Sequence, residues 1–118
     1  MKRDWDLVRR ILAALESLGD TTSVLRADEI SGYDPEVVSY HMQLLIEAGL
    51  ADGNCREAMN APLWCYLTRL TWEGHEFLDN VRSPTLWNRI KGVARSKGLE
   101  LSFDVIKLAA KMLIEGMF

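Results

Sequence analysis

The sequence predicts a mainly α, α+β fold in which one small antiparallel hairpin is set among helices. Three observations predict it. Apolar residues recur at three- and four-residue intervals in four separate segments, which is helical spacing. A single stretch, Leu50–Leu70, reads instead as two strands about a polar turn. Hydrophobic residues at 48% and charged residues at 26% of 118 residues describe one folded domain with its own core, not a disordered chain.

The first segment, Asp4–Leu18, places Trp5, Val8, Ile11, Leu12, Leu15 and Leu18 on one stripe, with Asp4 as N-cap and Gly19 at the end. Thr22–Leu25 reads as a short strand, and "RADEISGY" holds at most a helical turn or two before Gly32. Asp34-Pro35 is a strong helix start, a capping carboxylate followed by proline at the first helical position. That helix is expected to run to Ala48, with Gly49 ending it. Val38, His41, Met42, Leu45 and Ala48 fall on one side, flanked by Val37 and Leu44. Glu36, Ser39, Tyr40, Gln43, Ile46 and Glu47 fall on the other.

Two strands, about Leu50–Arg56 and Leu63–Leu70, then flank a turn near Glu57–Pro62. Thr71 is placed to cap a short helix carrying Phe77, Leu78 and Val81. This succession is the order of a winged helix-turn-helix with a small antiparallel β wing. Two additional C-terminal helices follow it. The first opens at Ser83-Pro84, carries Leu86, Trp87, Ile90, Val93 and Ala94, and ends at Gly98; Ser102 caps the second, Phe103 to about Glu115. The expected organisation is a winged-helix part over residues 1–82, with a helical extension over 83–118 packed on it as one continuous domain.

The stretch "VSYHMQLLIEAGL" is similar to the Val-Ser-x-His-Leu-x-x-Leu-x-x-Ala-Gly-Leu pattern of bacterial winged-helix repressors of the arsenic-repressor type. "YLTRLTWEGHEFL" resembles their strand-to-helix passage, Tyr-x-Leu-Thr-x-x-Gly. The two motifs span roughly residues 35–80. "MKRDWDLVRRILAALE", "YHMQLLIEAGL", "RLTWEGHEFLDNVR" and "LWNRIK" together resemble a nearly full-length family of small bacterial and phage-associated proteins known as a domain of unknown function. The repressor resemblance implies that Ser39, Tyr40 and Gln43 face the major groove of duplex DNA. It also implies that Val38, Met42, Leu45 and Leu50 are core, and that the wing tip is Glu57–Asn60. Two departures stand out: the helix before Pro35 is shortened, and the reading face carries Glu36 and Glu47 with no Lys or Arg.

Charge bears on the same question. Residues 1–80 hold 7 Lys/Arg against 14 Asp/Glu, a balance of −7, while residues 81–118 hold 7 against 3, a balance of +4; together they give the net −3. A nucleic-acid binder has a basic footprint because phosphate neutralisation supplies much of its affinity. Here Arg89, Lys91, Arg95 and Lys97 gather on one late helix and do not share a face. The first functional reading is therefore a small DNA-binding regulator or phage-associated accessory protein. In it, Ser39, Tyr40 and Gln43 approach the groove, and the wing from Arg56 to Asn60 touches the backbone. The alternative is a protein-interaction module on the same scaffold, with the same helix and wing facing a protein partner.

The last helix has an apolar arc too wide for an ordinary surface helix: Phe103, Ile106, Ala110, Leu113 and Ile114 form its central stripe. It is either central to the fold or a homodimer contact, and the reading favours the dimer. No CxxC or HxxxH spacing joins His41, His75, Cys55 and Cys65, so no metal is expected, and His41 reads as a packed core histidine. No Gly-rich phosphate loop, nucleophile elbow or zinc-hydrolase helix is present, so neither an enzyme nor a cofactor is expected. No apolar run approaches the ~20 residues that span a bilayer, and the opening "MKRDWDLVRR" lacks the signal-peptide pattern. The expected location is the cytoplasm, where Cys55 and Cys65 are expected as free thiols.

Overall fold

The computed structural model describes residues 1–116. Over these described residues the fold is α+β and mostly helical, with five helices and one three-stranded antiparallel sheet. In order these are α1 (Trp5–Glu16), β1 (Leu25–Arg26), a 3₁₀ turn (Ala27–Glu29), α2 (Pro35–Glu47), β2 (Ala51–Arg56), β3 (Trp64–Leu70), α3 (Trp72–Val81), α4 (Pro84–Ser96) and α5 (Phe103–Ile114). The chain divides into two compact units, the first over Met1–His75 and the second from Glu76 onward, so the division falls within α3.

In the first unit the sheet order is β1-β3-β2, with β3 antiparallel to both neighbours. α1 and α2 pack on β3 and on each other. The helices supply Leu7, Val8, Ile11, Leu12, Leu15, Val38, Met42 and Leu45, and the strands Leu25, Ala51, Cys65, Leu67 and Leu70, all buried. Burying each large aliphatic side chain is worth about 1.5–3 kcal/mol, so this apolar layer is what holds the two helices to the sheet. Polar bonds set their angle. The Asp4 N–H donates to His41 Nε2 at 2.8 Å while His41 Nδ1 lies 2.8 Å from the Val37 carbonyl oxygen, which assigns the proton to Nδ1. His41 is 1% exposed and ties the start of α1 to the middle of α2.

α2 starts and stops as its letters dictate. Asp34 Oδ1 accepts the Glu36 N–H at 2.8 Å, and Pro35 occupies the first helical position, where a missing N–H costs nothing. At the other end the Gly49 N–H donates to Ile46 O and the Leu50 N–H to Leu45 O, both at 3.0 Å. This double bond pattern needs a left-handed residue, and Gly49 supplies φ +76. The "LTWEG" glycine has a different reason. A Cβ on Gly74 would collide with the Leu50 carbonyl oxygen, so only glycine lets α3 start this close to β2. Thr71 completes the junction: its Oγ1 donates to Gly49 O and accepts the Gly74 N–H.

In the second unit α4 packs on α5. The Phe77 and Phe103 rings meet edge-on, 5.1 Å between centroids. Ser83 and Ser102 cap α4 and α5 by accepting the Leu86 and Val105 N–H groups. Trp87, Ile90, Ala94, Ile106, Ala109 and Ala110 are buried.

Three expectations change. Thr22–Leu25 is not a strand; β1 is Leu25–Arg26, because Asp20 Oδ1 accepts the Thr22 and Ser23 N–H groups and folds that stretch into a turn. Cys55 and Cys65 are not free thiols but form a disulfide across the hairpin. They are register partners with Cα atoms 4.1 Å apart, so pairing of the two strands alone brings them together. Finally, Ile106 and Ala110 are fully buried within the single chain, which removes them from any surface that meets a second copy. Of the expected dimer stripe, Phe103 and Leu113 are half-buried, and Ile114 is exposed.

Candidate binding surface

The candidate surface is built by α2 and the β2–β3 hairpin. The residues expected to read DNA separate there. Ser39 is completely buried, and its Oγ accepts the Cys65 N–H at 3.0 Å. The reason lies in β1, whose ladder reaches only as far as Arg26↔Tyr66; Cys65 lies one residue beyond it, and Ser39 supplies the missing acceptor. Its groove-facing role is therefore withdrawn. Tyr40 and Gln43 remain half-buried on α2, Tyr40 with its ring edge-on to His41.

On the hairpin, Arg56 is exposed and paired in register with Trp64. Asn60 is exposed at the tip with φ +66, a left-handed conformation that Asn tolerates, so the turn itself accounts for this residue. The Ala61 N–H donates to Ala58 O across that turn. Met59 beside it is 93% exposed. The tip from Glu57 to Pro62 contains one carboxylate and no cation.

Electrostatics around the sheet are largely self-satisfied. Arg26 grips Asp28 through Nε and Nη2, at 3.2 and 2.7 Å. This bonding holds the Asp28 carboxyl below the usual carboxylate range and raises the Arg26 guanidinium. Arg69 pairs with Asp52 at 2.7 Å, and Arg10 bonds Ser31 Oγ and lies over the Tyr33 ring. These cations already have partners within the fold.

Sequence reasoning missed a groove at the foot of α2. Asp34, Pro35 and Glu36 form one wall and Pro62, Leu63 and Trp64 the other, around about 340 Å³. Trp64 is 36% exposed and also lines a neighbouring groove of about 260 Å³ with Asn54, Arg56 and Tyr66. The signal was present in the strand alternation: Cys65 and Leu67 point inward, so Trp64 and Tyr66 must point out. Among the described residues, no group of three or more His, Cys, Asp or Glu is placed to hold a metal ion. No helix among them is long and apolar enough to cross a membrane.

This chain belongs to the family described as "Hypothetical protein (DUF2513)". The family model matches residues 2–100, which take in α2 and the hairpin and stop before α5. An "Uncharacterized protein" of Haemophilus influenzae (strain ATCC 51907 / DSM 11121 / KW20 / Rd) is 44% identical over 117 residues, covering 99% of this DUF2513 chain and 98% of the relative. No solved structure matches the chain.

Proposed function

We propose that the first unit is a winged helix-turn-helix, with α2 in the position of the recognition helix and β2–β3 as the wing, and that this surface docks a protein. The fold reading is supported by the order α1-β1-α2-β2-β3, by the sheet order β1-β3-β2 and by the short 3₁₀ turn where a second helix would stand. The observation that carries the docking reading is the chemistry of the surface. Its α2 side bears Glu36 and Glu47, its hairpin tip bears Glu57 and the exposed Met59, and Trp64 lies open beside them. Carboxylates next to a phosphate backbone oppose binding, whereas an exposed aromatic and a methionine among acids suit a protein surface.

The second reading, a DNA-binding regulator, is favoured by one observation: Tyr40 and Gln43 lie one turn apart on the outer side of α2, with exposed Arg56 on the wing. Glutamine can bond adenine bidentately in a major groove. Fluorescence anisotropy of a labelled duplex, at low and at near-physiological salt, separates the two. The docking reading expects no binding at either salt. Binding that weakens steeply with salt, and is lost in Gln43→Ala or Arg56→Ala, establishes the second reading instead.

A further inference from the structure

We propose that the groove between the start of α2 and the start of β3 receives the arginine or lysine side chain of a basic segment on a partner protein. The inference rests on the docking reading and names the chemistry of its partner. Each wall of the groove supplies something that such a side chain needs. Pro35, Pro62 and Leu63 give apolar surface for the aliphatic stem, which Lys and Arg bury readily while the charged head stays near water. Trp64 brings the ring that attracts a cation most strongly. Asp34 and Glu36 bring two carboxylates to the same groove.

The charge in this groove meets the N-terminal end of α2 but, among the described residues, no side-chain cation of the chain. Asp34 Oδ1 accepts the Glu36 N–H as a helix cap, a bond that leaves its negative charge in place. Glu36 is exposed, and among the described residues no Lys, Arg or His forms an ion pair with either acid. Arg56, the register partner of Trp64, lines the neighbouring groove and not this one. Two exposed acids elsewhere in the same unit are paired internally, Asp28 with Arg26 and Asp52 with Arg69, so these two cations are already engaged. A cation brought by a partner gains both carboxylates and the indole without displacing a cation already there. A phosphate brought to the same place meets two carboxylates that repel it.

The test is an amide and indole NMR titration of the full chain with acetyl-Gly-Arg-Gly-amide, beside the same peptide carrying citrulline, which keeps the shape and loses the charge. The expected result is saturable movement of the Trp64 indole N–H and the Glu36 amide, with affinity about tenfold or more weaker for citrulline, and weakened by added salt. Glu36→Gln should reduce the arginine affinity several-fold. Glu36 is exposed and Asp34 still caps the helix, so this variant should keep the wild-type spectrum elsewhere. Trp64→Leu should reduce it as well, with the remaining amide pattern showing that the hairpin is intact. No movement at millimolar peptide, equal movement with citrulline, or indifference to Glu36→Gln overturns the proposal. Movement of the Trp64 indole on raising protein concentration alone also overturns it, since the occupant is then a second copy. These failures differ from that of the docking reading, which fails on salt-sensitive binding of the duplex.

Discussion

The inner side of α2 and the tip of the β2–β3 hairpin are about a dozen residues apart in sequence and follow opposite rules. On the inner side every group has a partner. Val38, Met42 and Leu45 are fully buried, Ser39 accepts the Cys65 N–H, and His41 bridges the Asp4 N–H and the Val37 carbonyl. At the tip Glu57 to Pro62 are exposed, Met59 almost completely so. Polar residues are thus held inside and an apolar one is left outside. Polarity alone does not say which residue of this chain is structural and which is free to bind. The partner of each group does.

The contrast can be broken most severely from the inside. Leu45→Ala should lose about 2–5 kcal/mol of unfolding free energy, because the cavity left between α2 and the sheet cannot collapse fully. Met59→Ser at the tip should stay within about 0.5 kcal/mol. Denaturant unfolding of both variants checks the pair; equal losses would contradict the assignment of core and surface. Next is the disulfide that joins the two strands behind the hairpin tip. Replacing both Cys55 and Cys65 by serine should cost about 2–3 kcal/mol, since the bond closes a short loop in the unfolded chain. The same loss should follow reduction of the wild type, read as a lower denaturant midpoint.

The finest test of the comparison is Ser39→Ala. It leaves the buried Cys65 N–H without its acceptor and should cost about 1–3 kcal/mol. A side chain that read DNA would instead be neutral for stability. A thermal unfolding curve unchanged by Ser39→Ala would return Ser39 to the outer surface.

Much of the fold was legible because the letters that set it act locally. Asp34-Pro35, Ser83-Pro84 and Ser102 mark helix starts through bonds made within three residues, and Gly49 and Gly98 mark ends through a backbone conformation few other residues adopt. What was not legible depends on contacts distant in sequence. Ser39 falls on the polar side of a helical wheel, yet it is drawn inward because β1 stops short of Cys65, 26 residues away. The two cysteines read as separate thiols until strand register placed them opposite each other. The groove at Trp64 joins a helix start to a strand start, and only the folded sheet brings them together. By contrast, the burial of His41 was legible, because its neighbours on the helical wheel are all apolar.

On the docking reading, the sign of charge on the outer side of α2 decides what this surface accepts. The direct measurement is to reverse that sign, with Glu36→Lys and Glu47→Lys in one chain, and to follow duplex-DNA anisotropy at low salt beside arginine-peptide binding. On that reading the wild type should bind peptide and not DNA, and the double variant should lose the peptide and gain salt-sensitive DNA binding. A wild type that already binds DNA, or a double variant that leaves both activities unchanged, would contradict it.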